Sequence, residues 1–126
     1  MTVTIGASAT SSFTVTEADT AIAMGSGDVP VLGTPRLLAW CEQATVAAIA
    51  AELDEGTTSV GFQIRIDHLA PTPVGAAVDV TATVAEVDGR RVTLTVAAED
   101  GSGTAASGTI TRVVVDRQSF IERIAP

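Results

Sequence analysis

The sequence predicts an α+β fold, in which an antiparallel five-stranded sheet wraps around one long central helix. Three observations carry this. The stretch GTPRLLAWCEQATVAAIAAEL (33–53) reads as one helical block, with alanine at 39, 44, 47, 48, 50 and 51. After Gly56 the apolar period changes from helical to two, the mark of a half-buried strand. The segments that follow are separated by short turn signals, among them the hairpin signal Asp88-Gly89, and read as four antiparallel strands.

The elements follow in order. ATSSFTVT (9–16) suits a first strand, rich in β-branched residues. EADTAIAMGSGDVPVLG (17–33) begins with a helical turn and becomes loop, punctuated by Gly25, Gly27 and Pro30. The long helix runs from Thr34 to Leu53, with Thr34 as N-cap and Pro35 at the first helical position. In VGFQIRIDHL (60–69), Val60, Phe62, Ile64, Ile66 and His68 share one face, and Gly61, Gln63, Arg65 and Asp67 the other. Pro71 and Pro73 end that strand and Gly75 turns the chain. AVDVTATVAEV (77–87) and RVTLTVAAE (91–99) form a hairpin, TAASGTITRVVVD (104–116) is the last strand, and 117–124 adds a short terminal helix. A lone long helix must be covered by a sheet, and a curved sheet around it is the hotdog arrangement. Such a sheet extends through a partner's edge strand, so a homodimer at least is expected.

Length and composition bound the function. The 126 residues fit a single domain over 1–126, with a core at about 10–124. No apolar run approaches the ~20 residues of a membrane span, so no membrane association is expected. MTVTIGASATSSF lacks a basic start and a long apolar block, so no secretory signal is expected either. Cys41 is the only cysteine, which excludes an intrachain disulfide. These features together point to the cytoplasm. The net charge is −8, from 15 acidic residues against 7 arginines and no lysine, which argues against a nucleic-acid partner.

Two residues stand out on the predicted elements. Glu42 lies among Leu38, Val46, Ile49 and Leu53 on a helix whose alanines suggest burial on most sides. A carboxylate there needs a partner, because a lone buried charge costs several kcal/mol. His68, the only histidine, lies on the strand face expected to meet the helix. An imidazole and a carboxylate directed at one interior can do acid/base chemistry near neutral pH. The hydroxyl of Thr34 and nearby backbone NH groups at a helix start suit a carbonyl oxygen or oxyanion, although capping alone accounts for a threonine at that place. Cys41 reads as a small apolar filler. One histidine and one cysteine without ligand spacing make no metal site, so no metal is expected.

VLGTPRLLAWCEQA (31–44), SVGFQIRIDHLAPTPVG (59–75), VDGRRVTLTVAAEDG (87–101) and ASGTITRVVVD (106–116), in this order and spacing, resemble the fluoroacetyl-CoA thioesterase group of hotdog proteins. The resemblance implies a catalytic set of Thr34, Glu42 and His68, a site at a dimer interface, and Gly61 close to the acyl thioester. It implies hydrolysis of an acyl-CoA or related small-molecule thioester with no cofactor, CoA being part of the substrate. That family's enzyme carries lid phenylalanines just before the catalytic threonine. Here AMGSGDVPVLG holds no aromatic residue, so fluorine recognition is not carried over. Arg36, Arg65, Arg90, Arg91 and Arg112 are candidates for the CoA phosphates. Two rival readings share the fold: a hydratase or dehydratase on acyl thioesters, and a non-catalytic module that binds acyl-CoA or another small ligand.

Overall fold

The computed structural model describes residues 2–125. One five-stranded sheet is built from β1 (Ser8–Thr14), β2 (Thr57–His68), β3 (Ala77–Asp88), β4 (Arg91–Asp100) and β5 (Gly103–Asp116), in the order β1-β3-β4-β5-β2. All neighbours are antiparallel. A short helix, α1 (Ala21–Met24), precedes the long α2 (Thr34–Ile49), which tightens into a 3₁₀ turn at Ala50–Glu52. The terminal α3 (Arg117–Glu122) is capped by the Asp116 carboxylate, which accepts from the Ser119 NH at 2.9 Å. That bond holds the Asp116 pKa below the usual carboxylate value. The antiparallel sheet around one long helix is the expected hotdog arrangement. β2 begins at Thr57, three residues before the expected start.

Alternation along β3 and β4 explains the layering. Val78, Val80, Ala82 and Val84 on β3, with Val92, Leu94 and Val96 on β4, turn inward and are buried. They meet Leu37, Trp40, Cys41, Ala44 and Ile49 of α2 in one core cluster. The Trp40 ring stacks on Phe13 of β1, with centroids 4.5 Å apart and planes 3° from parallel. The outer face is polar and self-satisfied: Thr10 bonds Thr81 at 2.8 Å, Ser12 donates to Asp79 at 2.7 Å, and Thr93 bonds Thr111 at 3.0 Å.

Two sequence expectations are corrected. First, α2 is not buried on most sides. It lies mainly over β1 and β3, less over β4, and touches β2 least. Ala39, Gln43, Val46 and Ala47 therefore stay exposed. Second, β2 is not one uninterrupted strand face. Gly61 pairs with Arg112 and Gln63 with Thr111, so Phe62 is an inserted bulge residue. The inserted residue switches the phase. Ile64, Ile66 and His68 lie opposite Ile110, Gly108 and Ala106 on the helix side, whereas Val60 and Phe62 do not share that face. Phe62 is 55% exposed and lies under the Arg91 guanidinium at 4.5 Å. Among the described residues β2 pairs only with β5, and its other edge is free along Gly61–Arg65, where every residue is exposed.

Candidate active site

The start of α2 makes the first half of the site. Gly33, not Thr34, is the N-cap: its carbonyl accepts from the Leu37 NH at 3.1 Å, and Thr34 is the first helical residue. The expected N-cap role of Thr34 is thus replaced by another. Its hydroxyl is free for a side-chain bond and meets His68 Nδ1 at 2.8 Å. His68 is the last residue of β2, so the bond ties the helix start to the strand end. This uses one ring nitrogen. Nε2 is shielded from solvent and has no partner among the described residues. In a neutral ring the two nitrogens take opposite roles, so whichever part Nδ1 plays toward Thr34 fixes Nε2 as the complementary donor or acceptor.

The second half lies further along both elements. The Glu42 side chain is 38% exposed, not buried, and its Oε2 accepts from Arg112 at 3.3 Å. Arg112 is only 6% exposed. It is fixed by Nε donating to Ser59 Oγ at 2.8 Å and by a terminal nitrogen donating to the Ser59 carbonyl at 3.0 Å. Burial pushes the guanidinium pKa down, and the Glu42 charge and hydrogen bond oppose that shift. Gly61 closes the group. A Cβ there would stand 2.6 Å from Glu42 Oε2, so only glycine leaves the carboxylate its place. The β2 bulge makes this contact, because it puts Gly61 opposite Arg112.

The structure therefore brings Thr34 to His68 and Glu42 to Gly61, as two separate pairs. Thr34 and Glu42 are eight residues apart on α2, about 12 Å of helix rise. Gly61 and His68 are seven apart on β2, over about 20 Å of strand. A cleft of about 340 Å³ opens beside the first pair and includes Thr34, His68, Val29, Leu32 and Leu69 in its wall.

The sequence reading overlooked Ser59 and gave Arg112 the wrong task. Arg112 is a buried partner of Glu42, not a surface arginine. The signal was present in TITRVVV, where period two puts Arg112 in phase with the buried Ile110 and Val114. Of the other arginines, Arg36 pairs with Asp19 at 3.0 Å, Arg91 covers Phe62, and Arg65 and Arg90 are exposed. Cys41 is buried and its thiol is pushed up to about 11 by desolvation, which suppresses the thiolate at neutral pH. Among the described residues no three His, Cys, Asp or Glu side chains group as metal ligands, and no helix is long and apolar enough to cross a membrane.

Comparison with known proteins gives the family. A sequence model of the fluoroacetyl-CoA-specific thioesterase family matches residues 15–118. A fluoroacetyl-CoA thioesterase of Streptantibioticus cattleyicolor is 37% identical over 94 residues, covering 75% of this chain and 68% of that protein. The solved fluoroacetyl-CoA thioesterase FlK superposes with a TM-score of 0.90 at 31% identity, over 100% of both chains. A mutant of it, solved with fluoroacetate and CoA, gives 0.86 at 33% identity over 93% of this chain and 98% of that one. A hot-dog-like protein from Thermanaerovibrio acidaminovorans gives 0.88 at 31% identity, over 95% and 89% of the two chains. The chain belongs to the fluoroacetyl-CoA-specific thioesterase family and is a hotdog-fold thioesterase.

Proposed function

We propose that this protein, a single hotdog domain over residues 1–126, hydrolyses an acyl-CoA thioester as a homodimer. Each site takes Thr34 and His68 from one protomer and Glu42 and Gly61 from its partner. The observation that carries the reading is the division of the site into two pairs on one chain, with a free β2 edge between them. A two-fold axis that pairs two β2 edges antiparallel, centred between Ile64 and Arg65, sets Gly61 opposite the partner's His68. Each Thr34–His68 pair then faces the partner's Glu42. The exposed run Gly61–Arg65 lies in that join and would be covered by it.

The chemistry follows from the groups. Arg112 and Gly61 fix Glu42 with one carboxylate oxygen held and the other available. Glu42 takes a proton from water, and the water oxygen attacks the thioester carbonyl carbon. In the covalent alternative, Glu42 attacks that carbon itself and water then opens the acyl-enzyme. In both, the carbon–sulfur bond breaks, the acyl group leaves as its acid, and the thiolate takes a proton from His68 or solvent. Thr34 orients the imidazole through its 2.8 Å bond. Backbone NH groups at Gly61 or at the helix start hold the oxyanion, a role worth about 3 kcal/mol per donor. CoA is part of the substrate and no further cofactor is involved.

The test is thiol release by purified protein over an acyl-CoA panel, with Glu42→Gln and His68→Ala beside the native chain. Both variants should stay folded and lose at least about a hundredfold in kcat. Native-like release by either one removes that residue from the site. Ligand binding without thiol release would make the protein a binding module.

A further inference from the structure

We infer that the cleft beside Thr34 and His68 selects an uncharged aliphatic acyl group larger than acetyl, and that Asp28 in its wall turns away acyl groups ending in a carboxylate. The inference rests on Thr34 and His68 being the catalytic pair proposed above.

The cleft has a volume of about 340 Å³. At roughly 30 Å³ for a water-sized group, that is room for several carbons beyond the carbonyl. Its walls are mostly apolar: Val29, Val31, Leu32 and Leu69 line it, with Ala70 and Pro71. Val29 is 50% exposed, so a substrate chain would cover apolar surface now in water. An acetyl group brings a single methyl to this space and leaves most of that surface wet. Each further buried methylene should raise kcat/KM about fourfold until the cleft is filled.

Charge sets the second limit. Among the described residues of one protomer, Asp28 is the carboxylate that lines the cleft, and no lysine or arginine lines it. A substrate carboxylate entering there meets a like charge and apolar walls without a counter-charge. A neutral chain meets neither cost. Ser26, and Gly27 with no side chain, form the adjoining wall, so Val29 is the large apolar side chain that this loop brings to the cleft.

The experiment measures kcat/KM for acetyl-, butanoyl-, hexanoyl- and succinyl-CoA. Butanoyl should exceed acetyl by about tenfold or more, and succinyl should fall about tenfold or more below butanoyl. Asp28→Asn should narrow the butanoyl-to-succinyl gap severalfold. Val29→Phe, at a half-exposed position that tolerates a larger side chain, should lower the hexanoyl-to-acetyl ratio about tenfold or more. Ile124→Phe, exposed and outside the cleft, should leave the ratio unchanged. Acetyl as the best substrate, succinyl equal to butanoyl, or an unchanged ratio in Val29→Phe would each overturn the inference while release itself continues. No release from any of the four would overturn the thioesterase site and the inference with it.

Discussion

Glu42 and Arg112 show how one carboxylate is kept half in water yet fixed in place. The guanidinium is buried and held by Ser59 on two sides, so it presents a rigid donor to Glu42 Oε2. Gly61 guards the same oxygen by having no side chain. Gly61→Ala should therefore displace the end of a flexible glutamate and leave the fold intact. The expected result is a loss of about a hundredfold in kcat/KM with a stability change within about 1 kcal/mol. Native-like turnover would show that the Glu42 position does not matter. Cys41 makes a residue-level prediction of another kind. Its thiol ionises at about 11 in the fold against 9.0 for the free group. A raised folded pKa means stability that is complete below pH 9.0 and is lost as the pH climbs through about 11. Between pH 7.5 and 10.5 this group should remove about 2 kcal/mol from the unfolding free energy. Urea titrations at the two pH values should show that loss in the native chain and not in Cys41→Ala. An equal loss in both would assign the alkaline sensitivity to other groups.

At the level of elements, what could be read from the chain and what could not divide along a clear line. Local periodicity located the long helix, the Asp88-Gly89 hairpin and the succession of strands along the chain, because those depend on residues near one another in sequence; the place of β2 beside β5 in the sheet does not. It missed the bulge at Phe62, which exists only through pairing with β5, fifty residues away. That one inserted residue decides which face Gly61 occupies, so the apolar repeat Val60-Phe62-Ile64-Ile66-His68 misassigned its first two members. Thr34 was misread as N-cap for a related reason: its hydroxyl partner, His68, is distant in sequence, and local rules see only the helix start. Glu42 and His68 were legible as odd residues, but their division into separate pairs required the register. The β2–β5 register has its own sensitive point at Gly108, opposite Ile66. A Cβ at Gly108 would run into the Arg65 carbonyl oxygen and the Ile66 Cα, both backbone and unable to step aside. Gly108→Ala should lower stability by about 2 kcal/mol or more and the midpoint of thermal unfolding by about 6 °C or more. Unfolding at the native temperature would mean that β2 and β5 separate there without cost.

For the whole molecule, the uneven cover of the sheet is the informative feature. α2 packs mainly on β1 and β3 and covers β2 least, touching it through Thr34 and Glu42, so the two halves of the site flank a free edge. One chain holds all the groups but spreads them over about 12 Å of helix, too far to act on one carbonyl carbon. In the proposed dimer a two-fold partner would resolve this by bringing its own Glu42 and Gly61, giving each dimer two composite sites. That arrangement makes a sharp prediction for mixed dimers. Glu42→Gln and His68→Ala should each be inactive as homodimers, because every composite site would lack one group. When the two are unfolded, mixed in equal amounts and refolded, half of the dimers contain one chain of each kind. In these, one site has both defects and the other has none, so about a quarter of native activity should return. Sites contained within single chains would all stay defective and would recover nothing. The same refolding carried out separately on each variant supplies the baseline, and a mixture that remains there would place Thr34, His68 and Glu42 in one protomer.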